Sequence, residues 1–154
     1  MAGKFFLSVK ALKQGDLKGE NARNPAEIPI LGFSFEVTTP RDVATGQPTG
    51  RRQHNPVSIY KEWGEISVQL FEALASNENL PLVKIQEMRT DSSGKETLYM
   101  EIRLSNATIT TIQIDLQHGA NPSISTDTEV ERVEFTYQKI EIENFTSKVV
   151  AVDA

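Results

Sequence analysis

Gly50-Arg51-Arg52-Gln53-His54-Asn55-Pro56-Val57-Ser58-Ile59-Tyr60-Lys61-Glu62 leaves a loop rich in proline and glycine and enters a strand. Val57, Ile59 and Lys61 alternate with Ser58, Tyr60 and Glu62, the period of two of a half-buried strand. A second strand-like stretch lies near the other end: Val133-Glu134-Phe135-Thr136-Tyr137-Gln138-Lys139-Ile140-Glu141-Ile142. Its inner set begins as Val133, Phe135 and Tyr137, then shifts to Ile140 and Ile142, which implies a kink. Neither stretch carries a catalytic motif.

The same alternation runs outward from these two. Phe5, Leu7 and Val9 alternate with Phe6, Ser8 and Lys10. Residues 11–27 are polar, hold Gly15, Gly19 and Pro25, and read as a loop. Leu31, Phe33, Phe35 and Val37 then share one strand face, with Gly32, Ser34 and Glu36 on the other, a small polar face suited to solvent. Residues 38–55 contain Pro40, Gly46, Pro48 and Gly50 without apolar periodicity, a long loop of the kind that is functional or disordered. Residues 65–77 are the one helical stretch. Ile66, Leu70, Ala73 and Leu74 form one stripe, and Val68, Phe71 and Ala75 form a second on a neighbouring arc. So wide an apolar arc needs either a deep groove in its own domain or a second subunit over the outer stripe.

Residues 82–90 read as a strand, and Asp91-Ser92-Ser93-Gly94-Lys95 as a hairpin turn with Gly94 at the positive-φ position. The return over residues 97–116 changes parity twice. Leu98, Met100, Ile102 and Leu104 give way to Ala107 and Ile109, then to Ile112, Ile114 and Leu116. Each switch predicts a bulge or break, near Ser105-Asn106 and near Thr110-Thr111, as at the corners of a small barrel. Residues 117–127 form a loop, residues 130–144 the last strong strand, and Val149 to Val152 a short terminal strand. The expectation is a mainly β, single-domain chain over residues 1–154: an antiparallel barrel or two-sheet barrel of about seven strands, one lateral helix and a long extended loop.

The 154 residues suffice for one sizeable core, with 38% apolar and 24% charged residues, ordinary for a globular protein. There is no cysteine, which removes disulfides and thiolate chemistry. The apolar run near Phe5-Phe6-Leu7 is too short for a signal-peptide core, and no run approaches the roughly 18 residues of a membrane span. Synthesis in the cytoplasm, export by a route other than general secretion and no membrane insertion are therefore expected. The formal charge of −5 argues against a dedicated nucleic-acid binder.

Chemistry-bearing motifs are sparse. His54 and His118 stand without ligand-spaced partners, and neither a nucleophile elbow nor a phosphate-binding glycine loop is present. No enzyme, metal or cofactor is expected. The acidic alternation Glu129, Glu131, Glu134, Glu141 and Glu143 reads as a solvated strand face. Arg41, Arg51 and Arg52 concentrate positive charge on one loop of an acidic chain. That loop is either simply solvated, or it meets acidic faces of further copies in a head-to-tail contact.

The pattern Gly50-Arg51-Arg52 with His54 and Pro56, the following Lys61-Glu62, and Phe135-Thr136-Tyr137-Gln138-Lys139-Ile140-Glu141 resemble the hemolysin-coregulated protein (Hcp) family. The likeness extends to Leu31-Gly32-Phe33-Ser34-Phe35, the helix, Thr90-Asp91-Ser92-Ser93-Gly94-Lys95-Glu96 and Leu104-Ser105-Asn106-Ala107-Thr108-Ile109. The family supplies the inner-tube subunit of the bacterial type VI secretion system. The resemblance implies a β-barrel with a lateral helix, closing into hexameric rings that stack as a hollow tube. A contractile sheath surrounds that tube, a spike protein caps it, and effector proteins travel in its lumen. It also implies assembly in the cytoplasm followed by delivery to the exterior or a target cell.

By this resemblance Val68, Phe71 and Ala75 lie at the lateral subunit contact. The loop with Arg41, Asp42, Arg51, Arg52 and His54 reaches the next ring. Gly32, Ser34 and Glu36 face the lumen. Three departures bear on subfamily and cargo: the long proline-bearing loop of residues 11–27, Glu87 where an aromatic is common, and an end at Val152-Asp153-Ala154 without tryptophan. A tail-tube subunit of a phage or related contractile particle, or a stand-alone barrel that binds a sugar or protein, are the alternative readings. An enzyme of unrecognised type is a further class, for which the sequence nominates no site.

Overall fold

A computed structural model describes residues 3–21, 24–116 and 129–154. The loop expected at residues 117–127, with His118, lies outside the described residues apart from its neighbouring strands. In chain order the elements are β1 (Lys4–Ala11), β2 (Gly15–Asp16), β3 (Ile28–Pro29), β4 (Gly32–Ser34), β5 (Val37–Thr38), β6 (Gln53–His54), β7 (Val57–Glu62), α1 (Glu65–Ala75), β8 (Leu80–Thr90), β9 (Glu96–Leu116), β10 (Glu129–Thr136), β11 (Lys139–Asn144) and β12 (Val149–Asp153). Seven of the strands have five residues or more; the expected strand through Leu31 to Val37 is broken into short pieces, and the expected strand over residues 130–144 is divided into β10 and β11.

The 21-residue strand β9 organises the rest. On one side it pairs with β8, from Thr90↔Glu96 to Leu80↔Ala107. On the other it pairs first with β11 and then, past a corner, with β10. The corner is at Asn106, whose φ of 51° lies in the left-handed region that asparagine tolerates better than most residues. Leu104 and Ala107 are both fully buried on either side of it. The second break is a bulge at Thr110: Glu134 pairs with Thr111, while Phe135 pairs with Ile109. Both breaks fall where the parity switches demand them. A third bulge has no parity switch to mark it. Glu87 pairs with Met100 and Met88 with Leu98, leaving Tyr99 between them. The Arg89 guanidinium lies 3.6 Å from the centre of the Tyr99 ring, a cation–π contact that no alternation encodes.

Two runs of sheet meet along β9. One runs β1-β8-β9-β11-β12, and the other β9-β10-β7-β4. The segment from β3 to β4 bridges their far sides. Ile28 and Pro29 pair with β1, and Gly32 to Ser34 pair with β7. Between them the Ile30 amide donates to the Phe5 carbonyl at 3.1 Å, and the Leu31 amide to the Tyr60 carbonyl at 2.7 Å. The change of partner also changes which side chains point in. Ile28 and Ile30 are buried, and Phe33 packs against the core, but Leu31, Phe35 and Val37 are exposed. The expected uniform apolar face from Leu31 to Val37 is thereby corrected.

The helix ends at Ala75, two residues before the end of its sequence pattern, because Asn77 turns to a φ of 52°. Ile66, Leu70 and Ala73 enter the core, with Leu74 at its edge. Tying the helix to the chain's first turn is Glu78, whose carboxylate accepts the amides of Lys13 and Gln14 at 2.8 and 3.0 Å. Burial alone would raise the Glu78 pKa, but the hydrogen bonds from Gln14 and Lys13 outweigh it and hold the group below the ordinary carboxylate value. Leu17, in the supposed polar loop, is fully buried beneath that turn.

The largest correction concerns Glu131. It is not on a solvated face: it is 0% exposed, and its cross-strand partner Lys61 is 1% exposed. Lys61 Nζ donates to Glu131 Oε1 at 2.8 Å, to Ser67 Oγ at 3.0 Å and to the Glu62 carbonyl at 2.8 Å. Ser67 Oγ in turn donates to Glu131 Oε1 at 2.9 Å and accepts the Gly64 amide at 3.1 Å. The ammonium has all three protons placed, while Glu131 Oε2 has no hydrogen-bond partner among the described residues. The carboxylate therefore relies on Lys61 for its charge balance. Lys61→Ala or Glu131→Ala should destabilise the fold by about 3–5 kcal/mol, because a buried charge is left alone. The double change Lys61→Met with Glu131→Leu should lie close to the parent or above it in chemical denaturation. Single changes with no effect on the denaturation midpoint would contradict this account.

Candidate assembly surfaces

The helix presents a clean division. Its inner side is buried, whereas Val68 is 71% exposed, Phe71 is 62% exposed, and Ala75 is also open. Of the two readings of its wide apolar arc, a groove in its own domain is the one the fold does not provide. Glu65 and Glu72 flank the stripe, and the helix holds no basic residue.

The long loop is an arm with its own ladder. β5 pairs with β6 through Val37↔His54 and Thr38↔Gln53, and Arg41 bridges to Pro48 farther out. At the tip, the Gly46 amide donates to the Asp42 carbonyl at 2.8 Å, and Asp42 Oδ1 accepts the Ala44 amide at 2.8 Å. Gly46 has a φ of 72°, which this turn requires. Arg41 Nη1 donates to the Gly46 carbonyl at 3.1 Å. Every residue from 41 to 53 is exposed, and Val43 stands fully in solvent.

The base of the arm is clasped to the C-terminal strand. Arg52 holds Asp153 with two bonds, Nε to Oδ2 at 2.7 Å and Nη2 to Oδ1 at 2.6 Å. His54 Nε2 lies 2.9 Å from Asp153 Oδ2, and its Nδ1 lies 2.9 Å from the Tyr137 hydroxyl. The two rings meet edge to face at 5.4 Å. Burial first, and then the charge of Asp153, push the Tyr137 pKa above the ordinary phenol value. The phenol therefore keeps its proton at neutral pH, and the His54 ring is held between that hydroxyl and the Asp153 carboxylate. This chain orients groups. Among the described residues no cluster of three or more His, Cys, Asp or Glu has metal-binding geometry. Of the five candidate loop residues, Arg52 and His54 thus act inward, and Arg41 and Asp42 shape the tip. Arg51 is exposed between them. Nothing in the sequence pairs Arg52 with a residue 101 positions away.

Gly32 and Ser34 lie on a polar face, paired with Tyr60 and Ser58. It continues through Arg132 and Glu134, joined at 2.5 Å, to Gln113, whose Oε1 accepts from Arg132 at 2.6 Å. A side chain added at Gly32 would meet open space. Glu36 sits apart from this face at the root of the arm, where Oε1 accepts from Asn55 Nδ2 at 2.9 Å. Three further acidic strand residues are engaged by one arginine. Arg103 binds Glu101, and reaches Glu141 and Glu143 at 3.0 Å each. Lys139 first, and Arg103 second, hold the Glu141 pKa below its usual value.

The hydrogen bond from Arg52, the largest influence, also holds the Asp153 pKa below the ordinary carboxylate value. A carboxylate with a lowered folded-state pKa stabilises the clasp above its unfolded value, roughly pH 4, and loses that contribution as pH falls through the folded value. Arm amide chemical shifts should therefore stay constant in this respect above about pH 5 and change only on further acidification. In Asp153→Asn the acid step should vanish and hydrogen exchange over residues 37–54 should speed up at neutral pH. An unchanged exchange pattern would contradict the clasp.

Comparison with known proteins agrees with this geometry. The family model described as "Type VI secretion system effector, Hcp" matches residues 6–143. The chain is similar to the "Major exported protein" of Pseudomonas aeruginosa, with 36% identity over 151 residues, covering 91% of this chain and 88% of that protein. Among solved structures, it is similar to an Hcp protein at a TM-score of 0.88 and 27% identity, covering 99% of this chain and 97% of the other. It is also similar to the secreted protein Hcp3 of Pseudomonas aeruginosa, at a TM-score of 0.78 and 27% identity, with the same coverage of 99% and 97%. The resemblance in the strand motifs is therefore borne out over most of the chain, and the chain belongs to the Hcp family of type VI secretion proteins.

Proposed function

We propose that this chain is the structural subunit of a type VI secretion inner tube. Copies close into hexameric rings, and the rings stack into a hollow conduit. A contracting sheath drives the conduit, with a spike protein at its tip and effectors in its bore. The observation that carries this reading is the outer helix stripe. Val68 and Phe71 are 71% and 62% exposed on a helix whose other side is deep in the core. Water is a poor neighbour for these residues, and a second copy removes them from it. Membership of the Hcp family supports the same reading, and the name "Major exported protein" of a relative supports export. No described helix is long and apolar enough to cross a membrane.

The arm, Arg41 to Arg51 above all, reaches the next ring, and Arg52 and His54 hold it in the reaching position. The polar face of Gly32 and Ser34 lines the bore, with Glu36 at the root of the arm. A wet, hydrogen-bonded wall lets cargo pass without strong adhesion.

Burying a large apolar side chain is worth about 1.5–3 kcal/mol, or about 10- to 100-fold per contact. Phe71→Ala should therefore shift ring assembly by about that factor in analytical ultracentrifugation, with the denaturation midpoint little changed, since the residue is exposed in the single subunit. Arg51→Ala should leave rings intact and shorten the stacks seen by negative-stain microscopy. Ser34→Gln should leave rings intact and lower effector co-purification. A parent protein that remains a strict monomer at all concentrations would overturn the ring reading.

A further inference from the structure

A pocket of about 270 Å³ lies where the barrel core meets the root of the arm, and none of the surfaces described above includes it. Its floor is a row of isoleucines across three strands. Ile85 is the cross-strand partner of Ile102, and Ile102 that of Ile142. Ile85 and Ile102 are buried. Phe5 and Phe33 close one side, with tilted rings 5.7 Å apart. Phe35, exposed just before β5, stands at the mouth. Apart from two carboxylates, the side chains of the wall carry no polar nitrogen or oxygen.

Glu87 accounts for the space. It follows Val83 and Ile85 in the inward phase of β8, and it pairs with Phe5 on one side and Met100 on the other. An apolar side chain at that position would pack into the pocket. A carboxylate is poorly placed among hydrocarbon, and Glu87 Oε2 instead accepts from Arg89 Nε at 2.7 Å. Arg89 is fixed in turn by the Tyr99 ring, which the β9 bulge leaves between two strand pairs. Neither Arg89 nor Tyr99 belongs to the wall, so the pair draws charge toward the margin. Glu101 is the second carboxylate, and it is bound by Gln86 at 2.7 Å and by Arg103. Each carboxylate is thus matched by an arginine of this chain. A charged guest would have to displace one of these partners or enter without a counter-ion. Size sets the other limit. An apolar cavity of about 150 Å³ admits benzene, and this one has room for a ring with a short alkyl tail.

We propose that this pocket is a binding site for a small neutral apolar molecule, one aromatic ring or a short alkyl chain, seated on Ile85, Ile102 and Ile142. The site does not depend on the tube reading. The test uses the full chain, in the assembly it adopts, with labelled isoleucine and methionine methyl groups, and toluene as the probe. Toluene should shift the methyl resonances of Ile85, Ile102, Ile142 and Met100 saturably, and leave those of Ile66 and Ile114 in place. Benzylammonium and benzoate carry the same ring with a charge, and each should bind at least about tenfold more weakly. Glu87→Leu puts an apolar side chain in the inward phase and should weaken toluene binding by about tenfold or more without lowering the melting temperature. Met100→Phe fills the same space with the Glu87–Arg89 pair intact, and serves should Glu87→Leu not fold. Absence of a saturable shift at the four pocket residues would overturn the site. So would equal shifts at Ile66 and Ile114, or undiminished toluene binding in a folded, filled variant. Tighter binding of benzylammonium than of toluene would overturn the neutral class, because Glu87 would then be recognising a cation.

Discussion

The buried pair of Lys61 and Glu131 is the constraint on which the placement of everything else depends. It joins β7 to β10 across the sheet, and through Ser67 it reaches the first turn of the helix. An apolar contact would tolerate a small rotation of that helix. Directed bonds to a hydroxyl at one helical position do not, because an ammonium or carboxylate moved out of reach has no water to turn to. The rotation of the helix decides whether Val68 and Phe71 face solvent or the core. A polar cluster at the centre thus fixes the orientation of an apolar stripe at the surface.

Strand β9 imposes a second constraint. Its corner at Asn106 and bulge at Thr110 let one continuous strand serve both runs of sheet. A straight strand of 21 residues would overrun any small barrel. Bending it turns β10 and β11 around the core, leaves β12 at the margin of one run, and gives the helix a strand to pack against.

Alternation made the long strands, the helix and both breaks of β9 legible, since each is a local pattern of apolar positions. Lys61 was in phase with Val57 and Ile59, and Glu131 with Val133 and Phe135. That phase is the signal that both point inward, but the usual exposure of charged residues masked it. Leu31 misled for the converse reason: the chain changes strand partner at Ile30–Gly32, and no periodicity marks such a handover. The clasp was not legible at all. Arg52 and Asp153 stand 101 positions apart in sequence, and only the finished fold brings them within 2.6 Å. A run of exposed arginines therefore suggests outward contacts, although one of the three, Arg52, is already ion-paired within the chain.

The clasp also bears on how an exposed arm can act. A two-stranded ribbon in water is marginally stable by itself. If it is ordered only when a partner binds, the ordering free energy is subtracted from the affinity. The arm here has proline at residues 40 and 48, a closed tip at Asp42 and Gly46, and an ion-paired root at Arg52. Each feature removes disorder before any partner arrives. The root matters most, because a small angular freedom there becomes a large displacement at the tip. Asp153 supplies that root from β12, an edge strand. A strand that is steadied therefore steadies the arm, and a strand that frays releases it.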